Sequence, residues 1–227
     1  MTSAWKSLFV SLAGVGSLIC PLLSHAQVTA TKEGFLFRKK YAEGDKWVYK
    51  IETKVTMGAG KRAPQGNSSS ISTLTVKGVE SKSAILELAE SPVNKKERPA
   101  TAYTLKADSL GRIEGSPIGG GVVGFAFPEK PMKVGDKFDM RLESGANKDI
   151  IQHSVKFMGL SVIEKHKVAR WDVLTAGKGS AVLAGTGQVY INVVDGSIFQ
   201  SQMNLTATIQ QNGQPVRVVM TTTIALK

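Results

Sequence analysis

Catalysis needs side chains that trade protons, hold a metal or attack an electrophile, and this 227-residue chain is sparing with them. His153 alternates with Ile151 and Val155 in a strand-like run, and His166 lies between Lys165 and Lys167 in a turn. A metal centre wants several donors converging on one point. No spacing pairs these two histidines, so both are expected to be satisfied or solvent-facing. Asp45, Asp136, Asp108 and Asp195 could be calcium ligands or paired acids, but each stands beside or near a glycine, where Asp bonds its own backbone in a turn. Gly179-Ser180-Ala181 lacks the Gly-x-Ser-x-Gly setting of a nucleophile elbow. Gly119-x-Gly121-x-x-Gly124 matches a dinucleotide fingerprint to the letter, yet that fingerprint works only between a strand and a helix of a βαβ unit. Here Pro117 precedes it and Phe125-Ala126-Phe127-Pro128 follows. Ser116 to Phe127 therefore reads as an apolar, glycine-rich connection. No catalytic residue, metal site or cofactor is expected.

Residues 1–26 have the pattern of a secretory signal. Lys6 is the only charge, an apolar run extends from Leu8 to Leu23, and Ser24-His25-Ala26 offers small residues where a signal peptidase cuts. Cleavage after Ala26 would remove Cys20, the one cysteine. The residues before Cys20 are Ser17, Leu18 and Ile19, which depart from the usual lipidation pattern. A mature chain without thiols has no disulfide, so its core must stabilise it; about two hundred residues suffice for that. The formal charge is +11, from 29 basic and 18 acidic residues, and losing Lys6 leaves +10. Positive charge favours anionic neighbours; outside the cytoplasm these are acidic lipids or anionic wall polymers. The cations are scattered, in small groups such as Arg38-Lys39-Lys40 and Lys165-His166-Lys167. Without a basic helix or a basic–aromatic strand face, nucleic acid is not an expected partner.

These sparse polar groups must be positioned by strands. Gly44-Asp45-Lys46-Trp47 returns as Gly135-Asp136-Lys137-Phe138. A Phe-x-Phe pair precedes each copy, Phe35 and Phe37 in the first, Phe125 and Phe127 in the second. Each is followed by the period of a half-buried strand, with Trp47, Tyr49, Ile51 and Val55 in one and Phe138, Met140 and Leu142 in the other. Met57 to Ser70 has no periodicity and is expected to be an irregular connection. Further on, Leu74 to Val79 parallels Val155 to Leu160, Ile85 to Leu88 parallels Trp171 to Leu174, and Tyr103 to Asp108 parallels Tyr190 to Gly196. Asn212-Gly213 signals a tight hairpin between the last two strands. The expectation is one all-β domain over 27–227, with pseudo-repeats near 35–115 and 125–227. It has ten to twelve strands and at most a short helix near 117–124. The sheet would be strongly curved and antiparallel, or form a partly closed barrel. A membrane-spanning barrel would need aromatic girdles, and aromatics are 7% of the chain.

An amino-terminal signal, a Phe-x-Phe pair and a Gly-Asp-Lys-aromatic strand start in each half, and an Asp-x-x-Gly or Asp-Gly turn after each late strand together resemble a group of bacterial exported domains. The arrangement is similar to the lipoprotein-carrier superfamily of periplasmic open barrels. That resemblance spans most of the mature chain. It implies an apolar pocket inside a half-barrel that holds acyl chains, and it supplies no catalytic residues.

The expected function is therefore binding or scaffolding in the bacterial envelope, periplasmic or secreted, without catalysis. The ligand would be apolar or amphiphilic, and the partner a lipid or anionic envelope component. Ile118, Val122, Val123, Phe125 and Phe127 are the candidate pocket edge. The alternative is a secreted hydrolase whose carboxylates converge from distant strands. Trp47 and Trp171, both on alternating runs, are expected in the core.

Overall fold

The computed structural model describes residues 28–58, 65–93, 101–114, 125–144, 149–178, 181–211 and 214–227. Strands β1 (Val28–Thr31) and β2 (Gly34–Phe37) form a hairpin of their own. Then come β3 (Lys46–Met57), β4 (Gln65–Val79), β5 (Ser83–Pro92), β6 (Thr101–Asp108) and the two-residue β7 (Ile113–Glu114). The second run is β8 (Lys137–Ser144), β9 (Asp149–Ile163), β10 (His166–Lys178), β11 (Ala181–Asn192), β12 (Ile198–Gln211) and β13 (Gln214–Leu226). Among the described residues there is no helix. Eleven strands make one antiparallel sheet in the order β7-β6-β5-β4-β3-β13-β12-β11-β10-β9-β8. Each run is a meander, and the pairing of β13 with β3 joins them. The ends, β7 and β8, do not pair, so the sheet is not a closed barrel.

One segment departs from the sequence expectation. Gln65 to Ser70 is strand rather than irregular connection, because its backbone is paired with β3 from Ser70↔Ile51 through Gln65↔Thr56. A ladder partner overrides the weak strand preference of serine and asparagine. Gly185 and Gly187 lie inside β11. A Cβ on Gly187 would run into Met203 Sδ, and one on Gly185 would run into Leu205 Cδ2. Larger neighbours on β12 fill the space that these glycines leave. The hairpin signal at Asn212-Gly213 falls outside the described residues, as does the stretch near 117–124.

The Gly-Asp turns are alike bond for bond. Asp45 N–H donates to Ala42 O, and Asp45 Oδ2 accepts from Ala42 N–H at 2.8 Å. Asp136 does both with Lys133, again at 2.8 Å for the carboxylate. Gly44 N–H donates to Val76 O, and Val76 N–H donates to Asp45 O. Gly135, Phe157 and Asp136 repeat this pair of bonds. Val76 and Phe157 also sit at the same kind of irregularity. Val76 pairs with Leu86 and Gly78 with Ile85, leaving Lys77 extra; Phe157 pairs with Trp171 and Gly159 with Arg170, leaving Met158 extra. The match of Trp171 is thus Leu86, one residue on from the alignment expected from sequence.

Long-range contacts show how far the sheet curls. From β6 to β10 is seven strand steps, about 34 Å if the sheet were flat. Yet Phe127, whose N–H donates to Leu110 O just after β6, lies 5.6 Å from the Phe37 ring, which in turn lies 4.8 Å from Trp171 on β10. Both Phe-x-Phe pairs fill the hollow of the curl. Phe35 and Phe37 meet Phe157 edge-on at 5.8 and 5.1 Å, and Phe125 and Phe157 approach Trp171 at 5.7 and 4.7 Å. Trp171, Phe37 and Phe157 are fully buried. Trp47 is only half-buried; its indole N–H donates to Asp195 Oδ2 at 3.3 Å.

Candidate ligand cleft at the open seam of the sheet

Where β7 and β8 fail to pair, a cleft of about 800 Å³ remains. This is within the usual range for small-molecule sites. Ile113 of β7 lies on one side, Phe138 and Met140 of β8 on the other, and Leu110, Phe127 and Met132 add to the apolar lining. Phe138 and Met140 share one face of β8, and Lys137, Asp139 and Arg141 alternate with them. Val155, opposite Phe138, is buried in the core, and His153 stands opposite Met140. Arg112, Lys130, Lys137 and Arg141 bring four cations to the lining, against Glu129, Asp136 and Asp139.

The strap formed by residues 126–132 spans the seam and is tied at both ends. Phe127 N–H bonds Leu110 O at 2.7 Å. Met132 exchanges backbone bonds with Phe35 of β2 at 2.8 and 2.9 Å. Between them the Arg38 guanidinium donates to the carbonyls of Pro128 and Glu129 at 3.1 and 2.6 Å. Two glycines make these approaches feasible. A Cβ at Gly34, where φ is +136°, would come 2.5 Å from Met132 O. At Gly111, where φ is +79°, it would come 2.9 Å from Phe125 O and 2.8 Å from Lys39 Cε.

The cations differ in their freedom. Arg112 donates from Nε to Asp108 Oδ2 at 2.6 Å and from its terminal nitrogen to Glu129 Oε1 at 3.0 Å, so two carboxylates already neutralise it. Burial works to raise the Asp108 pKa, but hydrogen bonds from Arg112 and from Leu110 N–H prevail and hold it below the usual carboxylate range. Among the described residues, Lys130 and Lys137 carry no such ties.

The sequence-derived candidates divide three ways. Ile118, Val122 and Val123 lie outside the described residues. Phe125 and Phe127 are buried, 5.7 Å apart, and Phe127 also lines the cleft. The four aspartates all serve turns: besides Asp45 and Asp136, Asp108 Oδ1 accepts from Leu110 and Arg112 N–H, and Asp195 Oδ1 from the Ser197 N–H and hydroxyl. His153 is satisfied by Thr175, Nδ1 to Oγ1 at 2.8 Å, and burial lowers its pKa. The His166 ring rests on Phe199 at 5.0 Å.

Sequence reasoning missed the lysine that packs on Gly111. Lys39 looks like one of three surface cations, but its stem crosses the bare face of Gly111, and its backbone N–H bonds Ser109 O at 2.6 Å. Burial lowers its pKa to about 8, with the charges of Asp108 and Asp195 offsetting part of the effect. Only the glycine that closes the turn Asp108-Ser109-Leu110-Gly111 hinted at a close approach there.

The chain matches no known family model, and no curated protein matches it.

Proposed function

We propose that this chain is an exported envelope protein that holds a single-chain amphiphile, tail in the seam cleft and anionic head among its cations. The observation that carries this is the cleft itself: six large apolar side chains line about 800 Å³ beside the unpaired edge of β8, with Lys130 and Lys137 also in the lining. Apolar walls with a few placed charges are the usual composition of a ligand site. Met132 and Met140 add unbranched, adaptable side chains that suit a variable acyl tail. In this reading residues 1–26 are a signal removed on export, the mature chain works in the periplasm or outside the cell, and it belongs beside the open-barrel lipoprotein carriers it resembles. The like turns and bulges of the two runs support descent from one duplicated unit.

The test is a titration of a fluorescent long-chain fatty acid into residues 27–227. Saturable one-to-one binding is expected, weakened at least ten-fold by Met140→Asp, which puts a charge against the tail. Lys137→Gln should weaken it less, as befits an exposed charge. Absence of saturable binding by folded protein would leave a scaffold, whose hollow is filled by the aromatic cluster.

A further inference from the structure

We propose that the tip of the β9–β10 hairpin docks the protein onto an anionic lipid surface; this rests on the exported-envelope reading but not on the cleft. Of the ten large apolar residues exposed among the described residues, four gather here: Val134, Leu160, Val162 and Val194, each 47–66% exposed. Val134 lies 3.5 Å from where a Gly159 Cβ would be, next to Leu160. Val162 pairs across the hairpin with Lys167, and Lys167 O accepts from Val193 N–H, bringing Val194 to the same corner. Exposed Lys133, Lys165, His166 and Lys167 neighbour these residues along the chain or across the hairpin. The neighbouring acids are Glu164 in the hairpin loop and the turn aspartates Asp136 and Asp195, whose carboxylates accept from backbone N–H groups of their own turns.

Isolated exposed apolar residues are ordinary, but a cluster rimmed by polar residues marks an interaction surface. Apolar side chains entering the headgroup region while lysines meet anionic lipid is how peripheral proteins bind membranes. The loop supports this. Ile163 and His166 close a two-residue turn in which Glu164 and Lys165 have φ of 48° and 71°. Such turns favour Asn-Gly, and a non-glycine residue at positive φ is uncommon. The turn instead keeps a long cation at its apex. The net charge of the whole chain points the same way.

The experiment is co-sedimentation of residues 27–227 with vesicles of zwitterionic lipid alone or with about 30% anionic lipid. Binding is expected only to the anionic vesicles and should fall as salt is raised. Lys165→Gln with Lys167→Gln should lower partitioning about 25-fold, taking about five-fold per cation. Leu160→Ser with Val162→Ser should also release the protein. Both double variants keep their fold by circular dichroism and should keep fatty-acid probe binding, whereas Met140→Asp should lose the probe yet still sediment. No binding to anionic vesicles, or binding that either double variant leaves intact, would overturn the proposal. So would a concentration-dependent dimer abolished by Val162→Ser, which would assign the patch to a second copy of the chain.

Discussion

Lys39 and Gly111 hold each other in place, and both can be tested one residue at a time. Gly111→Ala sets a Cβ against Phe125 O and the lysine stem at positive φ. The expected loss is about 2–3 kcal/mol in urea unfolding, within the range for strained backbone plus steric displacement. The same assay checks Gly34→Ala, with a similar loss expected. Lys39 governs the pH dependence. Its amine titrates near 10.5 unfolded and near 8 folded, so between these values the unfolded state binds more protons and stability rises with pH. Tyr41 and Tyr49 oppose this at the upper end. Burial raises both above their ordinary 10.0, so past pH 10 the unfolded chain ionises first and stability falls. The urea midpoint should therefore climb from pH 8 towards 10 and then drop. Lys39→Met should be more stable at pH 7 and should lose the climb; a wild-type midpoint that is flat between pH 8 and 10 would contradict the burial of this amine.

At the scale of the element, the two Phe-x-Phe segments decide whether the sheet can curl. Phe37 contacts rings of Phe127, Phe157 and Trp171; Phe37→Ala should cost about 3–5 kcal/mol, as large core truncations do. Trp171, enclosed by these rings, should emit at short wavelength and resist iodide, while half-buried Trp47 should be partly quenched. Comparing Trp47→Phe with wild type separates the two, and free quenching of Trp171 would refute the packing. The sequence made the strand starts legible because Gly-Asp and Phe-x-Phe repeat with their flanks. It also exposed the turn roles of the aspartates, since glycine neighbours mark them. It hid Gln65 to Ser70, where pairing with β3 rather than composition makes the strand. It also hid the candidate cleft. Ile113, Phe138 and Met140 belong to strands at opposite ends of the sheet order, and only the curl brings them to one cleft. Phe127 is apolar and sits between the runs, which makes it a pocket-edge candidate in the sequence; its place in the core depends on Arg38, Leu110 and Phe35 fastening the strap.

Over the whole molecule, the unpaired edges of β7 and β8 separate a filled aromatic hollow from a cleft left open. A closed barrel would bury both edges; this sheet leaves β8 free along one side, with Phe138 and Met140 facing the gap. In the proposed function this gap holds an acyl chain. The most direct test is a methyl NMR titration of residues 27–227, labelled at methionine, with a long-chain fatty acid. The methyls of Met132 and Met140 should shift together and saturate at one equivalent, while those of Met57 and Met220, on the distant β3 and β13, stay in place. Saturable shifts at Met57 and Met220 with Met132 and Met140 unmoved, or no shifts at all, would contradict it.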